Sequence, residues 1–119
     1  RRHELVGRYR EWLAEVAGLA IVPAEPVAGS ADHLFVVALP EGVDRRAVVA
    51  ALGAQGIGTS VHFRPVHTFS WFSTNAPVGV AGLATADALA DRTLSLPLHA
   101  NLRDADVDRV VDALRSELP

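Results

Sequence analysis

Leu34-Phe35-Val36-Val37-Ala38-Leu39 is an unbroken apolar run, rich in β-formers and bounded by Asp32 and Pro40. It is too short for a helix of ordinary length, and Pro40 cannot donate into a ladder, so the run predicts a buried strand. C-terminal to it, Asp44 is placed to N-cap a helix from Arg45 to about Ala54, with Gly56 where a left-handed C-cap residue belongs. Ile57 to Phe63 alternates loosely and predicts a second strand. Thr85 to Arg92 predicts a short helix, and Thr93-Leu94-Ser95-Leu96, stopped by Pro97, a third strand. N-terminal to the run, Leu5, Tyr9, Trp12, Leu13 and Val16 share one helix face, Glu4 and Arg8 stand four apart on its outer side, and Gly18 offers a stop. Val22 to Gly29 carries Pro23 and Pro26 and reads as a connector. The chain closes on an amphipathic helix whose face is Val107, Val110, Val111, Leu114 and Leu118, with Asp104, Asp106 and Asp108 at its positive dipole end. Together these elements predict a single α+β domain over residues 1–119, a small, mostly antiparallel three-stranded sheet covered by helices.

The long uncharged stretch from Thr68 to Ala86 is broken by Pro77, Gly79 and Gly82, so it predicts a loop and not a membrane span. A net charge of -3 and a pI near 5.9 give phosphate backbones no general reason to bind, which excludes nucleic acid as the expected partner. The absence of cysteine rules out disulfides and thiolate zinc and permits a reducing compartment, so a cytoplasmic protein is the expectation. All 11 basic residues are arginine. An Ala- and Arg-rich composition is also what a GC-rich genome produces, but the chemical consequence is the same. No side chain here can form a Schiff base with pyridoxal phosphate (PLP) or a carbonyl substrate. The chain starts inside a helical pattern without an initiator methionine or a signal-peptide core, and that start reads as a boundary within a longer protein.

His62 and Arg64 are two apart in the expected second strand and would therefore share a face, presenting an imidazole beside a planar fork of donors. The pair suits a sugar hydroxyl and a carboxylate or phosphate, but from spacing alone it reads first as an exposed basic pair on a sheet edge. His67 follows Pro65 and is expected in a turn. Residue type would admit a zinc site of His62, His67 and His99, although nothing in the sequence holds the three together. Trp71 and Phe72 could stack on a nucleobase, but two aromatics in a long loop read first as pins holding that loop to the domain. His3 and His33 read as surface or cap residues.

Three blocks carry a resemblance. They are Gly56-Ile57-Gly58-Thr59-Ser60-Val61-His62-Phe63-Arg64-Pro65-Val66-His67, Arg92-Thr93-Leu94-Ser95-Leu96-Pro97-Leu98 and Asp104-Ala105-Asp106-Val107-Asp108-Arg109-Val110-Val111. In order and spacing, with His33-Leu34-Phe35 and the Arg1-Arg2 pair, they resemble the C-terminal small domain of the DegT/DnrJ/StrS-type PLP-dependent nucleotide-sugar aminotransferases. Arg64 after His62-Phe63 looks most similar to the 4-amino-4-deoxyarabinose aminotransferase branch. Departures from the pattern are Trp71-Phe72 for paired tyrosines, Ala84 for a proline, Asp87 for a glutamate and Arg103 for a threonine cap. The resemblance implies a homodimeric enzyme that moves an amino group, usually from glutamate, to the keto carbon of a nucleotide-linked sugar. It places PLP and its lysine on an N-terminal domain absent from this chain, leaving His62, Arg64 and His67 as substrate contacts in the pocket wall. It also implies that Tyr9, Trp12 and Val16 bridge to that missing domain, so that the chain alone would expose an apolar face and be inactive. Two rival readings stand beside it: a standalone sugar-nucleotide-binding or regulatory module, and a metal-assisted hydrolase using the histidines.

Overall fold

The computed structural model describes residues 1–76, 79 and 82–119. Its sheet has three antiparallel strands in the order β1-β2-β3, formed by Ala20–Val22 (β1), Phe35–Ala38 (β2) and Thr93–Leu96 (β3). The apolar run at Leu34 to Leu39 is thus the central strand. Ala20 pairs with Ala38 on one side, and Phe35 pairs with Leu96 on the other. Alternation sends Phe35 and Val37, with Leu94 and Leu96, to one face, and Val36, Ala38, Thr93 and Ser95 to the other.

The strand count matches the expectation, but one of its members does not. Ile57 to Phe63 makes only a single bridge, Ser60 to Ser95, along the outer edge of β3. Ile57 is buried in the core, so the alternation there reflects one anchoring side chain and one backbone pairing, not a strand. The third strand is Ala20–Val22, three residues long, which ends at the proline that made the segment read as a connector.

Helices cover the first sheet face. Helix α1, Arg2–Leu13, buries Leu5, Tyr9 and Leu13, and the Tyr9 ring stacks on Phe35 with centroids 4.7 Å apart. Helix α2, Arg45–Ala54, starts where Asp44 accepts a hydrogen bond from the Arg46 amide at 2.8 Å, and Gly56 follows it at φ +73. Helix α3 is Ser70–Asn75, α4 is Ala84–Ala90 and α5 is Asp104–Ser116. Helix α5 buries Val107, Val110, Val111, Ala113 and Leu114, each of the larger side chains contributing roughly 1.5–3 kcal/mol of transfer free energy. The acids of its first turns reach across to α1. Arg8 grips Asp108 through two bonds of 2.7 Å, not Glu4, and Arg1 meets Asp104 at 2.5 Å. Asp106 accepts from the Arg103 amide at 2.9 Å and from its guanidinium, which together hold its carboxyl well below the usual carboxylate range.

Two further expectations are corrected. Thr68 to Ala86 is not a featureless loop, because a 3-10 turn at Val66–Thr68 and α3 occupy its first part; Pro77, one of the breaks read there, lies outside the described residues. Tyr9 is 0% exposed and its hydroxyl donates to the Pro97 carbonyl at 2.9 Å, so it belongs to this domain's own core and not to a bridging face. Trp12 remains exposed, with the Arg8 guanidinium 5.9 Å from its ring centroid. Among the described residues no helix is long and apolar enough to cross a membrane.

Candidate functional site

The site residues lie on an arm that leaves α2 and runs along the outer edge of β3 before turning away. Ile57 roots it: its amide bonds back to Leu52 O at 2.9 Å, and its side chain is buried. Ser60 and Ser95 then exchange two backbone hydrogen bonds, at 3.1 and 2.7 Å. Two residues on, His62 Nδ1 lies 2.9 Å from Ser95 Oγ. From there the chain offers side chains that the domain itself does not cover: Phe63 is 80% exposed, Trp71 is 64% exposed, and Val66, Phe69 and Phe72 are exposed as well.

Arg64 turns back on the arm. Its Nε donates to Thr68 Oγ1 at 2.9 Å, and its guanidinium carbon sits 5.4 Å from the Phe69 ring centroid. Thr68 Oγ1 in turn donates to the Pro65 carbonyl at 2.7 Å, so Arg64 closes a turn that Pro65 and Thr68 have already set. Its Nη1 has no hydrogen-bond partner among the described residues. Arg64, Arg45 and Arg46 line an open cleft of about 750 Å³, with Asp87 and Asp91 also in its wall. Arg45 is largely committed to the fold, donating to the Ala90 and Thr93 carbonyls at 2.8 and 3.1 Å.

The expectation that His62 and Arg64 stand side by side on one strand face is therefore corrected. Without a strand beyond Ser60 the two-residue period does not apply, and the side chains take different partners: His62 goes to β3, Arg64 to its own turn. His67 does sit in a turn, as expected. It reaches α4, with Nε2 2.6 Å from Asp87 Oδ1, so the histidine and the aspartate that replaces a glutamate tie the arm's far end to a second helix. Trp71 and Phe72 meet edge to face, centroids 5.1 Å apart, but neither is buried, so they do not pin the loop to the domain. His3 bonds Asp32 at 2.9 Å, a surface contact.

His62, His67 and His99 have three different sets of neighbours. His99 lines a separate cleft with Gly58 and Arg109, and among the described residues no group of three or more His, Asp or Glu side chains is placed to hold a metal ion. Ser95 and Phe63 are the contributors that the sequence did not single out. A lone polar residue between Leu94 and Leu96 in a buried strand was the available signal for Ser95.

The architecture, a small helix-covered antiparallel sheet with an exposed aromatic and basic arm, is an α+β unit found within aminotransferases. It superposes with a TM-score of 0.86 on Helicobacter pylori PseC, described as an aminotransferase involved in the biosynthesis of pseudoaminic acid, over 98% of this chain and 32% of that one; at 18% identity this likeness concerns the fold alone. The aminotransferase TlmJ from Streptoalloteichus hindustanus is 30% identical, with a TM-score of 0.80 over 98% of this chain and 30% of its own. The spore coat polysaccharide biosynthesis protein SpsC of Bacillus subtilis is 37% identical over 119 residues, which is 97% of this chain and 31% of SpsC. The model of the DegT/DnrJ/EryC1/StrS aminotransferase family matches residues 1–115, and the chain belongs to that family. It spans about a third of the length of the relatives it matches.

Enzymes of this kind use PLP, whose aldehyde needs a lysine amine. The 119 residues contain none, so the side chains present do not fit the covalent anchor of that group.

Proposed function

We propose that this chain is the C-terminal small domain of a cytoplasmic, homodimeric, PLP-dependent aminotransferase that passes an amino group from glutamate to the keto carbon of a nucleotide-linked sugar. The observation that carries the reading is the family match along residues 1–115 in a chain about a third as long as its relatives. On this reading the cofactor and its lysine belong to an N-terminal domain outside this chain. The present residues bind and orient the sugar substrate and exclude water from it. His62 contributes a ring nitrogen to a sugar oxygen, Arg64 offers Nη1 to an anionic group, and His67 holds the arm through Asp87. Phe63 and Trp71 form apolar wall. Among 4-keto sugars, Arg64 after His62-Phe63 favours the 4-amino-4-deoxyarabinose branch.

The test is steady-state kinetics of the intact enzyme. Arg64→Lys keeps the charge but not the planar fork, and loss of one hydrogen bond to a charged group raises KM for the sugar roughly ten- to a hundredfold. His62→Ala slows the half-reaction with the keto sugar more than that with the amino donor, while PLP content stays at the wild-type level in both variants. Wild-type constants for the sugar in both variants would overturn the assignment. A chain of residues 1–119 treated with PLP and borohydride is expected to carry no adduct on an internal side chain, and one found by mass mapping would contradict the placement of the cofactor elsewhere.

A further inference from the structure

Apart from Tyr9, whose hydroxyl is bonded to the Pro97 carbonyl, Ser95 is the only buried residue with a polar side chain among the described residues. It stands in β3 on the sheet face opposite α1, between Leu94 and Leu96, which point into the core. Its backbone N–H and C=O are both bonded to Ser60 on the outer edge, and on the other side it stands in register with Val36 of β2. Among the described residues the hydroxyl has one hydrogen-bond partner, His62 Nδ1 at 2.9 Å.

A serine hydroxyl carries one proton, and a neutral imidazole carries one proton on either of its two nitrogens. Were Nδ1–H the donor here, the hydroxyl hydrogen of Ser95 would be buried with no acceptor among the described residues, a loss larger than the gain from one ordinary hydrogen bond. With the hydroxyl as donor both groups are satisfied, and the ring's own proton is left on Nε2. His62 is exposed as a whole, and its Nε2 has no hydrogen-bond partner among the described residues. One buried hydroxyl thus determines what the exposed side of the ring presents.

We propose that Ser95 is a positioning residue: its hydroxyl donates to His62 Nδ1, holds the neutral ring as the Nε2–H tautomer and turns that N–H outward as a donor to a hydroxyl or carbonyl oxygen of the substrate. The outward role rests on the reading of His62 as a sugar contact; the tautomer does not. The arrangement selects an acceptor oxygen at this point and disfavours a cation or a donor group.

Long-range proton–nitrogen NMR correlations of the intact protein labelled with 15N-histidine test the tautomer, with His62 identified by the signals lost in His62→Gln. Above the histidine titration range, Nε2 is expected to be the protonated nitrogen; a protonated Nδ1 overturns the proposal. Ser95→Ala is expected to shift both ring nitrogens toward the averaged values of a solvated histidine, and unchanged shifts overturn it. Ser95→Cys, a weak donor of similar volume, is expected to fall between, and it decides together with the wild type if the alanine variant does not fold. In kinetics with UDP- and dTDP-linked 4-keto sugars as probes, Ser95→Ala raises KM about three- to tenfold without changing the amino-donor half-reaction or PLP content. A locked tautomer with unchanged KM for both probes overturns the outward role together with the reading of His62 as a sugar contact. An unlocked wild-type ring in an enzyme that His62→Ala still impairs overturns the role of Ser95 alone.

Discussion

Tyr9→Phe removes one oxygen from the middle of the domain and leaves the ring that stacks on Phe35 in place. The Tyr9 hydroxyl donates to the Pro97 carbonyl at 2.9 Å, and the residue is 0% exposed, so water does not replace the lost donor. Losing that bond, with the half-buried Pro97 carbonyl left short of its partner, costs about 1–2 kcal/mol. For 119 residues the unfolding entropy is about 0.25 kcal/mol per kelvin, which converts that loss into a fall in Tm of about 4–8 °C. Thermal unfolding followed by circular dichroism measures it. An unchanged Tm would refute the claim that this bond ties α1 to the end of β3. The same burial pushes the Tyr9 phenol well above its ordinary value of about 10. Its neutral form is favoured by the fold, so this contribution is complete below the unfolded value and is lost as pH rises through the raised folded value. Tyr9 is the only tyrosine, so phenolate absorbance reports it alone. The expected result is no phenolate near pH 10–11 until the backbone signal is also lost, and phenolate appearing in a protein still folded would refute the burial.

At the acid end the sign is reversed. Arg8 lowers the Asp108 carboxyl, the His3 ring lowers Asp32, and Arg103 lowers Asp106, so their contribution is complete above about pH 4 and fades as pH falls through the lowered values. Asp108→Asn should therefore separate from wild type in urea unfolding at neutral pH and converge with it in acid; a constant gap would contradict the Arg8 contact. Phe63→Ser with Trp71→Ser should reduce dye binding and self-association of the chain while leaving Tm within about 2 °C, because neither ring is buried. A large loss of Tm would mean that the rings pack against the domain. Asp87→Ala removes the acceptor for His67 and should speed chymotryptic cleavage in the arm at Phe69 to Phe72, and an unchanged cleavage rate would show that the 2.6 Å contact does not hold the arm.

Local pattern determined much of this protein. The apolar run at Leu34 to Leu39, the Asp44 cap, the left-handed Gly56 and the Val107, Val110, Val111, Leu114 stripe each express a period or a backbone preference that neighbouring residues state on their own, and all became the expected elements. The lack of lysine is likewise a chemical fact that no fold can alter. What only the tertiary structure decided depends on partners distant in sequence. β1 is too short to show a period and exists because Val36 to Ala38 offers it a free edge. Ile57 to Phe63 has a strand-like pattern, yet it pairs only at Ser60 before the arm turns away. Tyr9 and Trp12 stand on the same turn of α1, and the position of Phe35 buries one while the other stays in water. His62 is joined to Ser95 across 33 residues and Arg8 to Asp108 across 100. Such contacts leave no periodic trace, because they follow from packing the sheet and helices together and not from the conformation that each segment prefers by itself.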